Sequence, residues 1–155
     1  MPKPIQSIER AATILRLLSG RRRAGVVELA GEMSLPKGTV HGILQTLREV
    51  GFVEQDADSG KYQLGPTLLH MGSSYLDGNE LRTRALNWSD SLAARSNESV
   101  RIGTLPEGQV LIVHHVFRPD DTVQALDVGT LRPIHATAMG KVLLASHEYL
   151  LPEVA

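Results

Sequence analysis

Ile8, Ala11, Ala12, Leu15 and Leu18 recur three and four positions apart, the spacing of one buried stripe on a helix, with Ser7 able to cap its start and Gly20 to end it. After the turn from Arg21 to Gly25, residues 26–33 predict a second short helix with Val27, Leu29 and Ala30 inward. Ser34 and Leu35 make the connection. Pro36 then suits a first helical position, and Val40, Ile43, Leu44 and Leu47 follow at i, i+3, i+4 and i+7 until Gly51 closes the third helix. Residues 52–55 and 61–65 read as two strands around the polar, turn-rich segment 56–60. Three helices with a short second-to-third connection, followed by a hairpin, is the order of a winged helix-turn-helix.

Beyond the hairpin, Pro66 starts a helical segment carrying Leu68, Leu69, Met71, Gly72, Tyr75 and Leu76, which Asp77-Gly78-Asn79 breaks. Residues 81–96 predict another helix with Leu81, Ala85, Trp88 and Leu92 on its inward stripe. Strands are expected over 99–105 and 109–117, turning at Pro106-Glu107-Gly108, with a third over 123–128 and a helix over 137–146. The fold expected is therefore a mainly α winged helix-turn-helix over residues 1–65, a linker helix over 66–80, and an α+β module over 81–155.

Composition narrows the function. A chain of 155 residues with 42% hydrophobic content can bury a core as one domain or two small ones. No apolar run approaches the roughly 20 residues that cross a bilayer, and residues 1–6 lack the apolar core of a signal peptide, so a soluble, cytoplasmic protein without membrane partners is expected. There is no cysteine, which removes disulfides, thiolate zinc sites and cysteine nucleophiles. The net charge of -1 hides an uneven distribution: nine basic against seven acidic side chains up to Tyr75, and seven against ten beyond it. That sign suits a DNA-binding front and a neutral or acidic back.

The buried stripe of the third helix decides which residues face away from it. Gly38, Gly42, Gln45 and Glu49 point outward, Thr39, His41 and Thr46 flank them, and Lys37 stands at the helix start. Thr39, His41 and Gln45 are the candidates for base edges and Lys37 for phosphate, because a recognition helix reads with its first turns. Two glycines inside one helix cost about 1 kcal/mol each against alanine, so their outward position points to close approach to the groove floor. Arg21, Arg22 and Arg23 in the turn, and Lys61 in the wing, are further phosphate candidates. Leu68, Leu69, Met71 and Tyr75 form an amphipathic face for either dimerisation or packing within one chain.

Two other classes remain open on the residues alone. A winged helix can serve as a protein-interaction module without an operator. The six histidines and Asp120-Asp121 raise a metal-dependent enzyme, but His114 and His115 are strand neighbours that point to opposite faces, and no HExxH, CxxC, GxSxG or phosphate-binding glycine loop is present. No cofactor is expected.

The chain resembles the IclR-type bacterial transcriptional regulators. The match runs from Ser7 almost to the end, through Ser7-Ile8-Glu9-Arg10-Ala11 with Ile14-Leu15, Leu35-Pro36-Lys37-Gly38-Thr39-Val40-His41 with Leu44, Gly51-Phe52-Val53-Glu54, Tyr62-Gln63-Leu64-Gly65, and the stretch from His135 to Ala145. The resemblance implies a winged helix, a linker helix and a C-terminal GAF-like effector-binding domain in a dimer or tetramer that represses or activates operons for small carbon compounds. Here that domain is expected to be incomplete, since family members are commonly longer. The resemblance also implies an effector, a carboxylate or aromatic metabolite, held against Ala138, Met139 and Gly140 chiefly through backbone amides. The family commonly has Ser or Thr at the position of Gly38 and often Arg at that of Gly42.

Overall fold

Residues 3–146 are described by the computed structural model of the chain, which divides into two units after Tyr75. The first holds α1 (Gln6–Ser19), α2 (Val26–Met33), α3 (Lys37–Glu49), β1 (Val53–Gln55), β2 (Tyr62–Leu64) and most of α4 (Pro66–Asp77). Ile14, Leu18, Leu29, Val40, Leu44 and Tyr62 are buried in one core. β1 and β2 pair antiparallel, with Glu54 opposite Gln63, and Ala24 exchanges both backbone hydrogen bonds with Tyr62 at 2.8 and 2.9 Å. The wing is thereby tied to the residues just before α2. At its tip, the Ser59 N–H and hydroxyl both donate to the Asp56 carboxylate, which lies below its ordinary range for that reason first.

Several predicted positions shift. Ile5, not Ser7, is the N-cap of α1, and Pro36 is the N-cap of α3 rather than its first residue. In α1, Ile8 is exposed and Ile14, outside the predicted stripe, is fully buried. The face that meets α3 and β2 follows Ile14 and Leu18, one turn apart, with Ala11, Leu15 and Leu17 along its edges. In α2, Leu29 and Ala30 point inward as expected, but Val27 is exposed. Val27 lies nearly opposite Leu29 on a helix, so burying one exposes the other, and Val26 packs on the core instead.

The second unit holds α5 (Glu80–Ser96), β3 (Val100–Thr104), β4 (Gln109–Val116), β5 (Leu131–Pro133), a 3₁₀ turn (Ile134–Ala136) and α6 (Ala138–Ser146). The antiparallel sheet runs β3-β4-β5, with a bulge at Val113 where pairing steps from Gly103–Ile112 to Ile102–His114. Val110, Ile112 and Ile134 form its core with Leu105, Met139, Leu143 and Leu144 around them. Residues 123–128 are not the third strand: Val123 is fully exposed and outside any ladder, and Leu131–Pro133 pairs with β4 in its place after the turn at Gly129. The stripe predicted for α5 also faces the other way. Trp88 is 79% exposed, Leu81 and Leu92 are exposed, and the helix lies on β3 and β4 through the small buried residues Ser89 and Ala93, which allow close approach.

One buried polar group makes this unit sensitive to acid. The Asp127 N–H donates to Nδ1 of His115 at 3.2 Å, while Nε2 of His115 is buried with no hydrogen-bond partner among the described residues. Burial, helped by the Arg101 guanidinium and His114, pushes the His115 pKa below its ordinary value, against the opposite pull of the Asp127 carboxylate. The folded unit therefore resists a proton that the unfolded chain accepts. Its contribution to stability is complete above the unfolded value of about 6.5 and shrinks as pH falls below that value. Thermal unfolding of the full chain should show the transition of this unit moving to lower temperature between pH 7.5 and 5.5, and His115→Gln should flatten that dependence. An unchanged slope in the variant would contradict it.

Candidate nucleic-acid interface

α3 is set at its angle by the turn before it. Ser34 takes a left-handed conformation at φ 52°, and the Leu35 N–H reaches back to the Ala30 carbonyl at 3.0 Å, ending α2 so that Pro36 can open α3. Val40, Leu44 and Leu47 are buried and Ile43 packs beside them, so the stripe read from the spacing is the buried one. What faces outward is a trough. A Cβ placed on Gly38 or Gly42 would meet nothing within 4 Å. On one side stand Thr39 and Thr46, on the other His41 and Gln45. The Thr46 hydroxyl donates back to the Gly42 carbonyl at 3.2 Å, and Nε2 of Gln45 lies 3.4 Å from Nε2 of His41. Lys37 is exposed at the helix start.

The other predicted cations sit differently. Arg21 pairs with Glu32, Arg23 with Asp56 at 3.0 Å and Gln63 at 3.0 Å, and Lys61 with Glu28 at 3.3 Å. Glu28 is itself held below its ordinary pKa, first by the Gly25 N–H and then by Lys61. Among the described residues, Arg22 alone of that triplet has no ion pair. The three arginines line a cleft of about 910 Å³ with Leu18, Gln63 and Leu64, which no α3 residue enters. The structure thus brings Lys37, Gly38, Thr39, His41, Gly42 and Gln45 together on one surface and leaves the arginine triplet beside the base of β2. The wing carries Glu54, Asp56 and Asp58 against Lys61, so it is acidic overall. Arg48, which the sequence pattern did not single out, donates to Gln55 at 3.3 Å and braces the end of α3 against β1. Its place on the flank of α3 was the available signal, but the partner lies across a turn.

The remaining predicted residues fall on α4 and α6. No residue of α4 is buried: Leu68 is half-buried, and Leu69, Met71 and Tyr75 are exposed. At the start of α6 the Gly140 N–H donates to the Thr137 hydroxyl at 2.9 Å, a side-chain cap that sequence reading missed. Gly140 is buried, and a Cβ there would strike the Ile134 backbone, with 2.6 Å to its carbonyl carbon. Met139 packs over Gly103, where an added Cβ would collide with its sulfur. Gly140 therefore has a packing role and a spent amide, and the Ala138 and Met139 amides are the donors of this helix start with no hydrogen-bond partner among the described residues.

Comparison with known proteins matches residues 7–57 to the IclR helix-turn-helix domain and residues 73–149 to the bacterial transcriptional regulator IclR C-terminal family. The glycerol operon regulatory protein of Streptomyces coelicolor is 58% identical over 146 residues, which cover 94% of this chain and 58% of that protein. An IclR-family transcriptional regulator from Brucella abortus superposes with a TM-score of 0.82 at 24% identity, over 99% of this chain and 62% of that one. An IclR transcriptional regulator from Alicyclobacillus acidocaldarius gives a TM-score of 0.76 at 28% identity, over 97% of this chain and 64% of that one. The chain therefore spans a little over half the length of the proteins it resembles.

Proposed function

Because the chain belongs to the IclR family of bacterial transcriptional regulators, we propose that it binds operator DNA by laying α3 in the major groove, trough against the base edges. The observation that carries this reading is the bare centre of that face. Gly38 in the first turn and Gly42 in the interior leave open space between two polar ridges, and the cost of an interior glycine at 42 is explained where something must come close. Lys37 at the helix start, and Arg22 beside the wing, supply phosphate contacts. The likeness to glycerol operon regulatory proteins supports a glycerol operon as the target. Such a role places the protein with the chromosome, in the cytoplasm.

A palindromic operator read by two copies requires a dimer, and we assign its contact to the exposed apolar side chains of α4, Leu69, Met71 and Tyr75, with Leu68 at their edge. A small-molecule effector at the Ala138 and Met139 amides would complete the regulation.

A mobility-shift titration on the region upstream of its own gene tests the reading. A retarded complex that survives excess unrelated duplex and weakens steeply with salt is expected, and no complex at low salt would overturn it. Within that titration the cations separate. Arg22→Ala should reduce the slope of log affinity against log salt by about 1, whereas Arg21→Ala and Arg23→Ala, whose charges are already paired, should change it less. Equal slopes for all three would remove Arg22 from the interface.

A further inference from the structure

We propose that Gln45 and His41 form one reading unit for an adenine in the major groove, with His41 as the positioning residue and Gln45 as the one that touches the base. The proposal rests on the operator reading above and adds which base that face selects. Gln45 can present both an acceptor and a donor to one base edge, and adenine is the base whose major-groove edge offers N7 as acceptor and the N6 amino group as donor. A free glutamine must first give up its rotamer freedom to do so. On α3 the neighbours that could steady it are few. Position 42, one turn back, is glycine, position 38 two turns back is glycine, and Glu49 one turn on makes no hydrogen bond to it among the described residues. His41 is the side chain within reach, with its Nε2 3.4 Å from the amide nitrogen of Gln45.

The valences then add up. Nε2 of His41 accepts one amide hydrogen of Gln45, so the imidazole proton resides on Nδ1. The second amide hydrogen and Oε1 of Gln45 stay free, and these are the pair that N7 and N6 of adenine complete. A bidentate guanine reader is absent from the centre of this face: it carries no arginine, Lys37 lies at the helix start, and Arg48 on the flank donates to Gln55. Across the trough, Thr46 gives its hydroxyl proton to the Gly42 carbonyl and still offers its methyl group, which suits a thymine methyl. Gln45 on one ridge and the Thr46 methyl on the other thus suit the two bases of an A·T pair.

The test selects duplexes from a random pool with the full chain and then measures affinity for the enriched site. An adenine should be fixed in it, and replacing that adenine by 7-deazaadenine, which lacks the N7 acceptor, should weaken the wild-type complex about tenfold. Gln45→Ala and His41→Ala should each lose the adenine preference on the unmodified site, the double variant should be no worse than Gln45→Ala, and neither single variant should respond to 7-deazaadenine. His41→Gln, whose amide oxygen can accept the same hydrogen, should restore the preference, a rescue that a merely structural role for His41 would not give. Retention of the preference by His41→Ala overturns the proposal while leaving operator binding intact. Failure of the pool to enrich at all overturns both.

Discussion

Gly140→Ala should unfold the second unit while the first stays folded. The added methyl group would fall on the backbone of Ile134, and the 3₁₀ turn it belongs to is followed at once by α6, so neither partner can move without lifting the helix off the sheet. Collisions with a flexible side-chain end are absorbed by rotation, but a backbone carbonyl has no such freedom. We expect a loss above about 3 kcal/mol, a large share of what holds a small domain together. Two-dimensional amide spectra should show the signals of residues 76–146 collapsing towards the centre while those of α1 to α3 keep their dispersion. Gly72→Ala in α4, where an added Cβ meets nothing within 4 Å, is the control and should leave both sets intact. If Gly140→Ala keeps a dispersed second unit, the close approach of α6 to Ile134 is wrong.

The second large effect lies on DNA. Gly42→Leu puts a branched side chain into the trough without disturbing the core, because position 42 faces open space. The helix should gain stability, since leucine is a far better helix former than glycine. Specific binding should nevertheless fall to the level of unrelated duplex, about a thousandfold, because the base edges can no longer approach. Gly42→Ala should add about 1 kcal/mol of stability and Gly38→Ala, in the first turn, less, and both should weaken binding to a smaller degree. A variant that gains stability and loses affinity separates reading from folding, and measuring both by thermal unfolding and by titration on one duplex checks it. Unchanged affinity in Gly42→Leu would mean that the trough does not face the bases.

Much of the first unit was legible in the sequence, for a physical reason. The buried stripe of α3 repeats at helical spacing over two turns, so Val40, Leu44 and Leu47 announce their face without help from the rest of the chain. The wing followed from its turn-rich segment. Legibility failed where a partner decides which face is buried. α5 carries its larger apolar residues on one stripe, yet it packs through Ser89 and Ala93, because contact with a sheet rewards closeness as well as apolar area. Val27 and Ile14 were misplaced for a related reason: short or evenly apolar helices allow two registers, and only the neighbouring elements choose. The third strand was displaced because alternation cannot reveal whether an edge is available to pair with, and β4 offered its edge to Leu131–Pro133.

For the site, residue types and outward direction were readable, but pairings were not. Arg21, Arg23 and Lys61 were read as phosphate candidates without the acids they pair with: Glu32 and Glu28 from α2, and Asp56 from the wing tip. Those contacts span between 11 and 33 positions in the chain, beyond any local pattern. The Thr137 cap could have been anticipated, since threonine three residues before Gly140 is an ordinary N-cap position.

The absence of cysteine provides the most direct measurement of where α3 lies. A single Thr46→Cys substitution gives the chain one thiol, on a ridge of the trough, to which an iron chelate that cleaves DNA can be tethered. Bound to its enriched duplex, this variant should cut both strands within the protected site, at the same base pairs in every preparation. Cutting from position 46 that is absent, or spread evenly along the duplex, would contradict the placement of α3 in the major groove.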